Sequence, residues 1–217
     1  MFIGHFALGF ASKRAAPKQS LALLVLAPIW LDVVWPVLAA LRIERFHIAP
    51  GNTAYNPLMF DYYPWSHSLL MSVVWGLLLG VVVLKATGDR TGAAVVGLLV
   101  VSHWVLDWIT HRPDMPLWPW GGPQYGLTLW DSVPATMLVE GVVFVAGVAS
   151  YATFTRARDR IGSFAWWGLV LLLAVSYLGS SFGPPPPRRL AVIVPALIAV
   201  VLMPLWAWWI DRHREVA

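Results

Sequence analysis

Cysteine is absent from the 217 residues, so neither a disulfide framework nor a thiolate metal site can be built. Charge is scarce as well. Asp, Glu, Lys and Arg make up 12% of the chain, about half of the ~25% found in an ordinary globular domain. A chain that poor in charge cannot cover a water-facing surface, which excludes a soluble globular domain. No cleavable signal is expected either, because the apolar run 2–11 precedes the first basic residues instead of following them. No internal repeat is present.

What the sequence has instead is apolar length: 59% hydrophobic residues, 14 Trp and a mean hydropathy of +0.67. Several uninterrupted stretches reach the ~20 residues needed to cross a bilayer core. Six spans are read at 20–41, 66–84, 91–110, 134–154, 162–182 and 190–210. Between them lie breakers: Pro50-Gly51-Asn52, Thr87-Gly88-Asp89, the Pro/Gly/Trp-rich stretch 113–134, and Gly183 followed by four prolines. The run 2–11 is too short to cross. It reads as a half-helix that dips into the membrane and ends at Lys13. The expected fold class is all-α: a polytopic membrane helical bundle of about six transmembrane helices plus the short N-terminal helix. Residues 1–217 are expected to form one membrane-embedded domain, with two long loops, 42–65 and 111–133, on one side. Trp residues near the span ends read as an interfacial belt.

The pI of 9.7 does not imply nucleic acid, because the basic residues sit at span ends rather than on one face. They report topology. Lys13, Arg14, Lys18, Lys85, Arg90, Arg156, Arg158, Arg160, Arg212 and Arg214 fall on one side, against Arg42, Arg45, Arg112, Arg188 and Arg189 on the other. The positive-inside rule then makes both termini cytoplasmic and turns the two long loops outward.

The informative ionisable residues are Asp32, His103, Asp107 and Glu140, all inside predicted spans. A charge at that depth is a functional-site hypothesis by default. No Lys or Arg lies inside a span to neutralise them. The carboxylates must therefore be protonated, face a water-filled cavity or bind a cation, and two carboxylates with one divalent ion sum to zero charge. His103 and Asp107, four residues apart, share a helix face with Cβ atoms about 5–6 Å apart. His111 continues their line, although Pro113 disfavours helix at Arg112 and could turn it away. His67 sits at the loop end of the second span. Asp32 lies between Pro28 and Pro36, which bend a helix and free backbone carbonyls. From the helical rise, Asp32, His67, His103, Asp107 and Glu140 lie roughly 17–27 Å from the cytoplasmic ends of their spans, and His5 roughly 12 Å. A lone intramembrane His or Asp is often a structural hydrogen-bonding group. Ligand type and spacing together favour a metal for His103 and Asp107, with His67 and Asp32 at similar depth. His47 and His213 read as solvated loop residues.

These residues carry a resemblance. Gly4-His5-Phe6, Leu31-Asp32-Val33-Val34-Trp35-Pro36, Trp65-Ser66-His67-Ser68-Leu69-Leu70, and Ser102-His103 through Asp107 to Thr110 followed by Leu117-Trp118-Pro119 resemble the bacterial inner-membrane metal-dependent hydrolases of the YdjM-like kind. The resemblance covers roughly residues 1–120. It implies a more distant likeness to zinc-dependent phospholipases C and single-strand zinc nucleases, which are helical enzymes with clustered zinc ions. Carried over by motif, it implies that Asp32, His67, His103 and Asp107 surround one ion, and that Asp107 bridges to a second ion also held by His5. The chain departs from the pattern at Val34-Trp35, where the family has Asp-His, at Tyr62, where it has His, and at Thr136, where the likeness would put a His before Glu140. These departures speak against a third ion and leave a non-catalytic site as an alternative.

The resulting expectation is a membrane-embedded metal-dependent hydrolase of a phosphoester, with lipid-linked substrates reaching it from the bilayer. Its cofactor is a divalent metal, zinc first, as one or two ions. Asp107 bridges the ions, and Glu140 or the loop residue Asp61 serves as general base or acid. The alternatives are a transporter that uses the same side chains as a cation or proton relay, and a non-catalytic membrane protein with a structural metal. The expected location is the bacterial inner membrane, with no nucleic-acid partner. Oligomeric state is not legible.

Overall fold

The computed structural model describes residues 1–217. Six helical segments are long and apolar enough to cross a membrane: Leu21–Ala40, Leu69–Thr87, Arg90–Thr110, Val133–Phe154, Arg160–Phe182 and Leu190–His213. The first is not one helix. It consists of α2 (Leu21–Leu26), a tight 3-10 turn over Ala27–Ile29, and α3 (Trp30–Ala40), with Pro36 inside α3. A short helix α1 (Ile3–Ser12) precedes it, and the single turn α4 (Pro64–His67) stands before α5 (Leu69–Thr87). Helices α6 (Arg90–Thr110), α7 (Val133–Phe154), α8 (Arg160–Phe182) and α9 (Leu190–His213) complete the bundle.

Local chemistry sets the starts of these helices. Ser20, Ser68, Asp89, Ser132 and Asp159 each accept a first-turn backbone N–H of the segment that follows, as side-chain caps do where backbone donors lack a helical partner. Helix α5 stops at Gly88, whose φ of +68° is the left-handed conformation that glycine tolerates best. The outward faces are apolar, with Leu77, Leu98, Leu138 and Phe164 exposed. Lipid tails are as apolar as these side chains, so helices associate through close approach rather than through the hydrophobic effect. Gly76 and Gly80 of α5 meet Gly97 and Ala93 of α6 in this way; a Cβ on Gly76 would lie 2.7 Å from the carbonyl oxygen of Gly97.

Helix α1 is no surface element. Ile3, Gly4, His5, Phe6, Ala7, Gly9 and Phe10 are all buried, and the helix packs against α7, α2 and α6. Gly147 of α7 lets it approach, since a Cβ there would lie 2.4 Å from the carbonyl oxygen of Ala7. Phe10, Phe144, Tyr151, Trp166 and Leu169 close one apolar core around α1; Leu31, Trp35, Val96, Val100 and Trp104 belong to a second.

The all-α expectation is incomplete. Three small antiparallel ribbons decorate the helices: β1 (Arg45–Ile48) with β2 (Leu58–Tyr62), β3 (Met115–Pro116) with β4 (Gln124–Tyr125), and β5 (Thr155–Ala157) with β6 (Arg214–Val216). Each lies outside the spanning helices, where the connecting chain pairs its backbone groups with itself. The turn of the first ribbon carries Gly51 at φ +86°. The second span also begins later than the hydropathy suggests. Residues 64–67 form α4, and the extended Ser68 separates them from α5.

Candidate metal centre

Helix α6 carries the centre. His103 and Asp107 are fully buried one turn apart, and the Nε2 of His103 lies 3.0 Å from Oδ2 of Asp107. Three other segments bring their side chains to this pair. The Nε2 of His5, from α1, is 3.1 Å from Asp107 Oδ1. The Nε2 of His67, from α4, is 3.8 Å from Asp107 Oδ2 and 3.7 Å from Asp32 Oδ1. Asp32, in the first turn of α3, stands 3.9 Å from His103 Nε2. The five residues expected to hold metal thus converge from four segments. The terminal ammonium of Met1 pairs with Asp107 Oδ1, the oxygen that His5 also faces, and donates to Thr110 Oγ1.

Partners on the far nitrogens aim the imidazoles of His103 and His67, whereas His5 Nδ1 is buried without one. His103 Nδ1 donates to the carbonyl oxygen of Pro28 at 2.7 Å; that carbonyl is available because the first span breaks into a 3-10 turn there. His67 Nδ1 donates to Ser66 Oγ at 2.7 Å, and Ser66 donates onward to Glu44 Oε2 at 2.6 Å. Glu44 is buried and also accepts the backbone N–H of Ser66 at 2.8 Å. Burial pushes its carboxyl above the ordinary range, with the Ser66 hydrogen bonds opposing. A histidine that spends Nδ1–H on an oxygen acceptor leaves Nε2 as a lone pair, the arrangement found behind most metal-ligating histidines.

The consequence at His103 is specific. Its Nε2 is buried without a hydrogen-bond partner, 3.0 Å from a carboxylate oxygen. Two lone pairs facing each other at that distance need a positive charge between them. A proton serves one pair of atoms. Here Asp32, His67, His103 and Asp107 converge, which is the number and kind of groups a tetrahedral ion takes. Two sets, His5-His103-Asp107 and Asp32-His67-His103, each bring their ligand atoms within 4.8 Å of one another.

Glu140, from α7, is buried at the edge of this cluster. Its Oε2 accepts the backbone N–H of Phe2 at 2.8 Å, and its Oε1 has no partner. Asp32, His67, Asp107 and Glu140 all line a cavity of about 650 Å³ on the loop side of the bundle. Trp35, Trp130 and the prolines of the α8–α9 connection form other parts of its wall, which contains no Lys or Arg.

Asp61 does not belong to the site. It pairs with the exposed His47 on the β1–β2 ribbon at 2.9 Å. His213 is not merely solvated, since its Nδ1 meets Asp159 at 2.7 Å. His111 stays with the cluster despite Pro113. It is the first residue beyond α6, its N–H still bonds the carbonyl of Asp107 at 2.7 Å, and it lines the cavity. Glu44, Ser66, Asp114 and the Pro28 carbonyl are supporting groups that residue spacing did not single out. Only the adjacency Ser66-His67 hinted at one of them.

Six helical segments long and apolar enough to cross a membrane and a buried polar cluster reached from several of them define a multi-spanning helical membrane protein with an internal candidate site. The model of the YdjM inner membrane protein family matches residues 64–183, more than half of the chain, and the chain belongs to that family. The match takes in His67, His103, Asp107 and Glu140. It extends beyond residue 120 through α7 and α8, and it leaves His5 and Asp32 outside. No curated protein and no solved structure matches the chain.

Proposed function

We propose that this protein is a membrane-embedded, metal-dependent hydrolase of phosphoesters in the bacterial inner membrane. The observation that carries the reading is the buried, unpartnered Nε2 of His103 facing Asp107, with His67 and Asp32 converging on the same point. His and carboxylate donors without thiolates suit zinc first. Asp32, His67, His103 and Asp107 Oδ2 would hold one ion. The stacking of His5 on His103 supports a second. Their rings are parallel within 2° with centroids 3.9 Å apart, so their Nε2 atoms aim along separate lines, one at each oxygen of Asp107. Ions about 3.5–4 Å apart are the spacing of two-metal hydrolytic sites.

Bound there, divalent ions would acidify a water and offset charge on a phosphoryl group. The chain's own residues do the rest. Asp107 supplies the shared negative charge. Glu140 offers its free Oε1 as acceptor for the proton of the attacking water and returns it to the departing oxygen. The wall has no Lys or Arg, and its one ammonium, that of Met1, is paired with Asp107, so the three carboxylates leave it net negative and would repel an anionic substrate unless further cations are in place. The apolar walls at membrane depth favour a substrate whose ester carries a lipid or other apolar group. Clustering of the acidic groups at one level, rather than in a chain through the bilayer, favours an enclosed site over a relay. Both termini are cytoplasmic in this reading, and the cavity faces outward.

The test is hydrolysis by the purified full-length protein of a panel of phospholipids, isoprenoid phosphates and generic phosphodiesters, with and without chelator. Asp107→Asn, similar in size but neutral, is expected to lower turnover by at least about 100-fold, the scale of losing a preorganised charge stabiliser. Chelator-insensitive turnover, or equal turnover in the variant, would reject the mechanism.

A further inference from the structure

Beyond the five residues so far assigned to metal, a fourth histidine presents a bare nitrogen to the same carboxylate. His111 Nδ1 lies 2.9 Å from Asp114 Oδ1, and Tyr63 donates its hydroxyl to that same oxygen at 2.9 Å. Asp114 is therefore an acceptor for both, and the His111 proton sits on Nδ1. Nε2 is left as a lone pair, in a ring held by Trp130 at 4.2 Å and Phe60 at 5.2 Å between centroids.

That Nε2 makes no hydrogen bond. It stands 3.9 Å from Asp107 Oδ2, beyond hydrogen-bonding reach, and His111 is 3% exposed. A proton shared between the two atoms would draw them to about 2.7–2.9 Å. A tetrahedral ion with bonds of about 2.0–2.2 Å holds its ligand atoms roughly 3.3–3.6 Å apart; the 3.9 Å here, like the 3.8 Å between His67 and Asp107, is a few tenths of an ångström longer, so the side chains close slightly on an ion. A carboxylate oxygen has two lone pairs, so Oδ2 can serve the His67–His103 position and another on its far side.

We propose that His111 and Asp107 form an additional position for a divalent transition-metal ion, open to the cavity, with Asp114 as the group that orients the ligand. The inference rests on the metal reading of the neighbouring cluster. The ion here has two protein ligands, and its remaining positions face the cavity, where water or a substrate oxygen completes the shell. It is the most exchangeable ion of the centre. It adds positive charge on the side from which an anionic substrate arrives.

The experiment counts metal on full-length protein in detergent, stripped with chelator and reconstituted with Zn²⁺ or Co²⁺. The readouts are elemental analysis and the Co²⁺ visible spectrum. His111→Ala is expected to bind one ion fewer than wild type while keeping the others, and the retained ions report that the variant is folded. Asp114→Asn keeps the stoichiometry but weakens the most labile ion about 10–100-fold, the usual effect of losing a ligand's supporting carboxylate. Unchanged stoichiometry and affinity in His111→Ala would overturn the proposal and leave the neighbouring site standing. Loss of every ion in His111→Ala would overturn it too, by placing His111 in the same site as His103. Wild-type protein that binds no metal would reject both the site and the reading on which it rests.

Discussion

Gly147→Ala is the substitution that best tests how the bundle holds its centre, because it touches no proposed ligand. A Cβ at 147 would lie 2.4 Å from the Ala7 carbonyl oxygen and 2.6 Å from its Cα, where ordinary contact begins at 3.4 Å. The backbones of α1 and α7 must therefore separate locally by about 1 Å (3.4 less 2.4). His5 is two residues from Ala7 on a ten-residue helix, about 3 Å along its axis, so it moves with the contact. Its Nε2 starts 3.1 Å from Asp107 Oδ1, and metal sites tolerate only about ±0.2 Å in ligand distance. The overpacking should cost about 1–3 kcal/mol of stability. Zinc affinity of the His5-held position should fall about 10–100-fold. A competitive chelator titration reads the affinity, and thermal unfolding in detergent reads the stability. Gly141→Ala, on the same helix with nothing within 4 Å of its Cβ, is the control expected to change neither. Wild-type zinc affinity in Gly147→Ala would refute the claim that this contact sets the position of His5, even if the melting temperature fell.

Two further outcomes follow from the same geometry. Ser66→Ala removes the bridge between His67 and the buried Glu44; it should destabilise the protein by about 1–3 kcal/mol and weaken zinc binding at the His67 site, and a variant with unchanged zinc affinity would mean that the bridge does not orient the ring. Single cysteines introduced at Asn52 and Gln124, both in segments on the loop side, should react with an impermeant thiol reagent in intact cells, whereas labelling only after lysis would reverse the orientation and open the cavity to the cytoplasm.

The sequence alone carried the spans, because a bilayer forces every spanning segment to satisfy its backbone internally and to be apolar over about 20 residues. It also carried the His103–Asp107 pair, since two residues four apart on one helix are neighbours whatever surrounds them. Placement of carboxylates inside spans without a Lys or Arg in reach marked a candidate site before any packing was known. The small ribbons were not legible. Their strands are two to five residues long, too short for an alternating pattern to stand out from ordinary loop composition. Only the tertiary structure decided which atoms face one another. His5 reaches Asp107 because Gly147 admits α1 against α7. The Nε2 atoms of His67, His103 and His111 turn inward because Ser66, the Pro28 carbonyl and Asp114 occupy their other nitrogens. Ser66 adjoins His67, and Asp114 lies three residues beyond His111, but Pro28 stands 75 residues from His103. No local spacing announces such a partnership, because the helix break that frees the carbonyl and the packing that brings it to His103 are properties of the assembled bundle.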